Sequence, residues 1–171
     1  MEREILFRGK TEQGEWVEGY LFKGKYYFND EEITAIVSLD TTLYPCCEIS
    51  GYEIVIPETV GQFTGLTDKN GKKIFEGDII KQQTFHKLPL KYDSEKAKKD
   101  HIRYLIKKCG AIFDDEEHYH KDYFWEVRFE DARFYPFADD NFEWGNFMWD
   151  IPFEVIGNIH DNPELLEVEN G

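Results

Sequence analysis

The pattern of apolar positions along the chain predicts a mainly β protein. Short runs in which apolar and polar residues alternate are separated by turns that contain glycine or proline, as in half-buried antiparallel strands. In the first third of the chain these runs are Ile5–Phe7, Trp16–Phe22, Tyr26–Phe28, Ala35–Leu39 and Tyr52–Ile56. Gly24-Lys25 is predicted to form the turn of a hairpin between the second run and the third.

Residues 64–81, TGLTDKNGKKIFEGDIIK, contain two turn signals in succession. In the first, Asp68–Gly71, asparagine and glycine accept a positive φ and the aspartate can bond nearby backbone N–H groups. The second is Glu76–Asp78, after which a strand begins at Ile79. Two turns this close together suit the tight corners of a small, strongly bent β-barrel. The carboxylates of Glu76 and Asp78 could form an acid/base pair, but turn formation is the far commoner role for such residues, and no nucleophile, base or metal ligand stands at a fixed spacing from them.

The longest helix is predicted within residues 92–110. Its apolar residues recur at i, i+3, i+4 and i+7 and form one stripe: Ile102, Leu105, Ile106 and Cys109. Asp93 or Ser94 can cap the start, and Gly110 ends the helix. The opposite face is basic, with Lys96, Lys98, Lys99 and Arg103. A one-sided stripe is expected to dock on the parent domain; the alternative is a surface for a partner.

The last third of the chain predicts two more strands and a short terminal helical turn. Residues 123–130 alternate with one apolar face, residues 154–159 form a second strand, and Asn162-Pro163 starts the helical turn. His118 and His120 are spaced to lie on one strand face behind four acidic residues, so a metal site is conceivable, although histidines two apart are common in surface strands. Between the strands lies an irregular acidic segment, 138–150. Its large aromatic residues could form a partner surface or cover one end of the barrel: Phe142, Trp144, Phe147 and Trp149.

Composition and charge narrow the class of protein. The 171 residues are 41% hydrophobic and 16% aromatic, which favours a folded, β-rich chain. The net charge is −15, but residues 61–110 carry 12 basic and 6 acidic side chains, a net of +6. An acidic protein is repelled by phosphates, so general nucleic-acid binding is not expected, and the basic middle segment is expected to lie against acidic regions.

The cysteine count and the absence of long apolar runs favour a cytoplasmic protein. Three cysteines, two of them adjacent, make no disulfide framework. No apolar run reaches the roughly 18–20 residues that span a bilayer, and the chain does not open with a secretory signal.

Three segments resemble the YopX family, small proteins mostly encoded by bacteriophages and prophages. Residues 58–81 are similar to the family's signature, 3–21 to its opening and 153–166 to its ending. The resemblance implies a β-rich fold with SH3-like barrel character and no catalytic residues to carry over. We expect an N-terminal β region at 1–56 and an SH3-like barrel region at 57–171; the alternative is one continuous domain. The chain departs from the family pattern after Lys81, where the inserted residues 84–120 contain the helix.

The expected function is therefore binding without catalysis, most plausibly of a host or phage protein, with no cofactor, no metal and no membrane contact. Association of the chain into a homo-oligomer is an open alternative. The predicted partner surface is Phe142, Trp144, Phe147 and Trp149. The alternative is nucleic-acid or nucleotide binding through the basic segment 69–108, with Lys69, Lys72 and Lys73 on the phosphates. A metal-dependent enzyme using His118 and His120 is a distant third.

Overall fold

The computed structural model of the protein describes residues 4–26, 29–38, 51–89, 91–130, 133–136 and 152–170. These residues form a mainly β structure with antiparallel strand pairs, which confirms the predicted fold class. The described strands make open sheets of six, four and two strands, and none of these sheets closes into a barrel.

The six-stranded sheet combines the N-terminal region with the signature segment. Its order is β4-β3-β2-β1-β5-β6. Its strands are β1 (Phe7–Lys10), β2 (Trp16–Lys25), β3 (Glu32–Val37), β4 (Tyr52–Ile54), β5 (Gly61–Thr67) and β6 (Lys73–Phe75). A 3-10 turn, Pro57–Thr59, leads from β4 into β5. Because β1 pairs with β5, the sheet crosses the expected boundary between residues 56 and 57.

The four-stranded sheet is built around the strand that follows the signature. Its order is β12-β7-β9-β8, and a separate two-stranded antiparallel sheet pairs β10 (Arg128–Glu130) with β11 (Arg133–Tyr135). The strands of the sheet are β7 (Asp78–Lys87), β8 (Ile112–Phe113), β9 (His118–Glu126) and β12 (Phe153–Asn158). The predicted pairing of 78–82 near 123–130 is confirmed, since Ile79 lies opposite Glu126 and Gln82 opposite Tyr123.

The predicted helix is α1 (Glu95–Cys109), and its ends follow the sequence signals. Ser94 is the N-cap, and its side chain accepts a hydrogen bond from the backbone N–H of Ala97. Gly110 ends the helix in the left-handed conformation, with φ of 61°. Leu105 is buried in a cluster with Leu88 and Tyr119, and Ile102 packs against it, so this part of the apolar stripe docks on the outer ends of β7 and β9. Ile106, also in the predicted stripe, is 51% exposed. A C-terminal 3-10 helix, Pro163–Asn170, provides the predicted helical turn.

The hairpin turn predicted at Gly24-Lys25 is wrong. Both residues continue β2, where Gly24 pairs with Ile33 and Lys25 with Glu32. Glycine suggested a break because it weakens strands. Here a Cβ on Gly24 would lie 2.7 Å from Cζ of Phe22, so the aromatic ring covers the place where a side chain would stand.

Candidate functional site

The lysine-rich turn of the signature is held by a buried aspartate. Oδ1 of Asp68 accepts hydrogen bonds from the backbone N–H groups of Asn70 (2.8 Å) and Lys72 (2.9 Å). Its Oδ2 accepts from the backbone N–H of Val155 in β12 at 3.1 Å. Burial alone would raise the pKa of Asp68, but these backbone hydrogen bonds hold the pKa below its ordinary value. The turn therefore fastens the last strand to the signature.

Two of the three lysines proposed as phosphate contacts pair with acidic residues of this chain. Nζ of Lys69 lies 2.6 Å from Oε2 of Glu154. Nζ of Lys73 lies 3.4 Å from Oε2 of Glu18. Lys72 is exposed. Further along the basic segment, Lys81 pairs with Asp122 at 2.6 Å and Lys87 with Glu117 at 3.2 Å, so acidic residues from outside the segment offset part of its charge.

Asp78, one of the two carboxylates of the second turn in the signature, is a buried structural group. Its side chain is 1% exposed, and Oδ1 accepts a hydrogen bond from Nη2 of Arg8 at 2.7 Å. Oδ2 accepts from the backbone N–H of Phe75 at 2.8 Å, which closes the turn at Gly77, where φ is +81°. Asn158 Nδ2 lies 3.4 Å from Oδ1. We call Arg8, Asp78 and Asn158 the Arg8 clamp; it joins the opening, signature and ending segments.

Aromatic and charged side chains enclose the Arg8 clamp. The guanidinium carbon of Arg8 lies 4.5 Å from the ring centre of Trp16 and 4.8 Å from that of Phe75. The indole N–H of Trp16 donates to Oδ2 of Asp161 at 2.7 Å, and Lys10 forms an ion pair with the same carboxylate. Hydrogen bonds from Lys10 and Trp16 hold the pKa of Asp161 below its ordinary value. With both oxygens of Asp78 already bonded, this cluster is a structural centre.

His118 and His120 lie on one face of β9, as predicted, and each contacts an acidic residue of the preceding turn. Nδ1 of His118 lies 2.8 Å from Oδ2 of Asp115, and Nδ1 of His120 lies 2.9 Å from Oδ1 of Asp114. Hydrogen bonds from the backbone N–H of Glu117 and from His118 lower the pKa of Asp115 to about 2. Within the described part of the chain, no group of three or more His, Cys, Asp or Glu residues is placed to hold a metal ion.

The predicted partner surface lies outside the described residues, which end at 136 and resume at 152. The four aromatic residues of this predicted surface are Phe142, Trp144, Phe147 and Trp149.

An apolar surface that the sequence analysis did not single out lies on β2, β3 and β4. The strand register places Tyr20 opposite Val37 and Val37 opposite Tyr52, and it places Phe22 and Ile54 on either side of Ala35. Four of these side chains are exposed by 53% (Tyr20), 42% (Phe22), 48% (Tyr52) and 44% (Ile54). We call these four residues, with Val37 between them, the β2–β4 face.

One sequence signal could have indicated this surface. In β2 the apolar residues stand on both faces of the strand, with Val17 and Leu21 on one side and Tyr20 and Phe22 on the other. A strand at a simple protein surface has one polar face instead.

Comparison with known proteins identifies the family. No curated protein matches the chain. A solved structure, the crystal structure of protein EF1440 from Enterococcus faecalis, is 28% identical, with 96% of this chain and 99% of that chain covered and a TM-score of 0.49. The family model described as YopX protein matches residues 6–167. The chain therefore belongs to the YopX protein family.

Proposed function

We propose that the protein acts by binding another protein, without catalysis, and that the partner is a host or phage protein. The β2–β4 face carries this proposal. Four large apolar side chains in two adjacent cross-strand rows are each more than two-fifths exposed. Contiguous apolar surface of this kind characterises protein interaction sites, and aromatic residues are enriched among those that contribute most to binding.

The charge of the N-terminal third of the chain, which carries this face, indicates the partner's chemistry. Residues 1–60 carry 5 basic and 12 acidic side chains, a net of −7. A complementary partner presents an apolar centre with basic residues around it, because matching potentials steer association and exclude wrong partners.

The alternative, nucleic-acid binding through Lys69, Lys72 and Lys73, has less support. Two of these three ammonium groups already pair with Glu154 and Glu18. A phosphate contact at either would have to displace a carboxylate of the same chain.

Site-specific photocrosslinking tests the proposal. A photoreactive phenylalanine at Tyr20 is compared with the same group at Tyr104 on α1, which is equally exposed, at 57%. In infected or lysogenic cells we expect a nuclease-resistant protein adduct from position 20 and none from position 104. Equal crosslinking at both positions, or none at position 20, contradicts the proposal.

Oligonucleotide titration tests the alternative. Labelled single- and double-stranded oligonucleotides are titrated at low and moderate salt, with K72E/K73E as the variant. We expect no saturable binding. Micromolar binding that weakens steeply with salt and is lost in the variant would favour the nucleic-acid function instead, since each phosphate contact contributes about one unit to the logarithmic salt slope.

A further inference from the structure

We infer that β4 accepts an extended segment of the partner protein as an added strand, with apolar side chains of that segment seated on the β2–β4 face. The inference rests on the proposed function and specifies how the partner binds. Among the described strands, β4 is one of the two edge strands of the six-stranded sheet and pairs with β3 alone. The next residue on its outer edge, Ile56, donates its N–H to the carbonyl of Lys10 at 2.8 Å, so the available edge ends at Ile54.

Two hydrogen bonds fix the orientation of the β4 backbone. The N–H of Val55 donates to the carbonyl of Thr34 at 3.0 Å, and the N–H of Ser38 donates to the carbonyl of Gly51 at 2.7 Å. Antiparallel pairs alternate between those that exchange hydrogen bonds and those that do not. Residues 51, 53 and 55 therefore direct their backbone groups toward β3.

By the same alternation, Tyr52 and Ile54 direct their N–H and carbonyl groups away from β3. These two residues supply the donor and acceptor pattern that an added strand needs. Strand addition of this type obtains affinity from main-chain hydrogen bonds and specificity from alternate side chains.

The side chains of the same two residues continue the apolar rows. Tyr52 extends the row that starts at Tyr20, and Ile54 extends the row that starts at Phe22. In an added strand, every second side chain would lie on this face beside Tyr52 and Ile54. The bound segment therefore carries apolar residues at alternate positions.

The intervening positions of the bound segment are expected to be basic. Glu53 is exposed and lies on the opposite face of β4, where the other half of the added side chains would stand beside it. Opposite charges in such cross-strand pairs are stabilising and like charges are destabilising.

The same residue argues against a second copy of this chain as the occupant. An antiparallel pairing that uses all of β4 on both copies centres on Glu53 and places it opposite its own counterpart. Two chains of net charge −15 would add to that repulsion.

A synthetic peptide tests strand addition directly. The probe is a blocked nonapeptide in which lysine alternates with valine and isoleucine, titrated against the whole protein with backbone amide signals observed by NMR. We expect saturable binding with the largest shifts at Tyr52 and Ile54. N-methylation of alternate residues along one edge of the peptide removes hydrogen-bond donors on that edge and should weaken binding by about tenfold or more. The same methyl groups on the other edge should have little effect.

Three protein variants separate side-chain seating from general attraction. Ile54→Ser should weaken peptide binding, and Ile106→Ser, at a similarly exposed position on α1 (51% against 44%), should not. Glu53→Lys should weaken binding of the lysine peptide and strengthen binding of its glutamate counterpart.

Three results would overturn strand addition: no saturable peptide binding, equal effects of methylation on both edges, or self-association through β4 detected by sedimentation. None of these three results bears on whether a photoadduct forms at Tyr20. If that adduct forms, protein binding through the β2–β4 face would stand without strand addition. Loss of that photoadduct while the peptide still binds as expected would instead contradict the proposed function.

Discussion

Two regions of the protein are stabilised in different ways. The base, which is the described chain outside residues 84–120, contains the Arg8 clamp. Its contacts join residues far apart in the chain: Arg8 donates a hydrogen bond to Asp78, and Asp68 accepts one from the backbone of Val155. The arm comprises residues 84–120, the outer ends of β7 and β9 with α1 and β8. The polar contacts of the arm include short-range pairs, such as His118 with Asp115 and Tyr92 with His101, and the pair of Lys87 with Glu117, whose residues both belong to the arm.

The apolar clusters follow the same division. In the base, Leu6, Phe63 and Phe75 form one cluster, and Ile74, Ile80, Val127 and Phe134 form another. The arm has its own cluster of Leu88, Leu105, Ala111 and Tyr119, which shares no member with the other two. The base forms only when all three family segments come together. The arm packs around its own apolar cluster at the outer ends of β7 and β9.

The largest expected effect is removal of the buried arginine in the base. Arg8→Ala leaves the Asp78 carboxylate buried without its charged partner, which should lower the free energy of unfolding by about 3–5 kcal/mol. Chemical denaturation followed by circular dichroism measures the loss. Arg103→Ala in the arm is the control, because its pair with Asp100 is exposed and such pairs contribute about 0–1 kcal/mol. Similar losses in the two variants would contradict the difference between base and arm.

The second prediction concerns the arm's own core. Leu105→Ala should destabilise the arm by about 2–4 kcal/mol through cavity formation at a fully packed position. The matched control is Ile106→Ala on the next helical position, which is 51% exposed and should change little. Hydrogen exchange should show lost protection for amides in 88–119 and unchanged protection in β1, β5 and β12. Loss of protection throughout the base would mean that the arm cluster supports the whole fold.

The helix of the arm could be predicted from sequence, whereas the long-range contacts of the base could not. The arm helix could be placed from local signals, because Ser94 and Gly110 act within one turn of it. The turn role of Asp68 was also local and was predicted. Its third hydrogen bond, to Val155, and the pairing of Arg8 with Asp78 depend on residues 87 and 70 positions away. No spacing rule in a single sequence identifies such partners.

The β2–β4 face was missed because it depends on strand register. Its exposed side chains belong to three strands, and only the pairing of Tyr20 with Val37 and of Val37 with Tyr52 makes them neighbours. The length of β2 was also misjudged, because Gly24 looked like a turn residue although the Phe22 ring covers it.

The third prediction removes the arm. A short Gly-Ser turn in place of residues 84–120 shortens a strand-to-strand connection, and loop-closure entropy changes by only about 0.6 kcal/mol per doubling of length. The base retains both of its apolar clusters and the Arg8 clamp. We expect cooperative unfolding with a free energy of unfolding within about 2 kcal/mol of that of the intact chain. Loss of a cooperative transition in the shortened chain would show that the arm belongs to the core.

The smallest effect is a pH response confined to the arm. Nε2 of His86 lies 2.9 Å from Oγ1 of Thr84, and its ring stacks on Tyr119 with centres 5.1 Å apart. Burial, and secondarily the charge of Lys121, hold the pKa of His86 below its ordinary value of 6.5. Folding therefore disfavours the protonated ring, so the arm loses stability as the pH falls from about 6.5 through the lower folded pKa.

The base should not respond in the same window. Its lowered carboxylate pKa values, those of Asp68, Asp122 and Asp161, affect stability only as the pH falls below the ordinary value of 3.8. Hydrogen-exchange protection factors measured at pH 7 and pH 5.5 should decrease around Tyr119 and stay constant in β1 and β12. His86→Phe keeps an aromatic ring but cannot be protonated. The other arm histidines are present in both proteins, so the difference between wild type and variant isolates His86. An equal decrease in the two proteins would assign the response to those other histidines and leave His86 without a role in it.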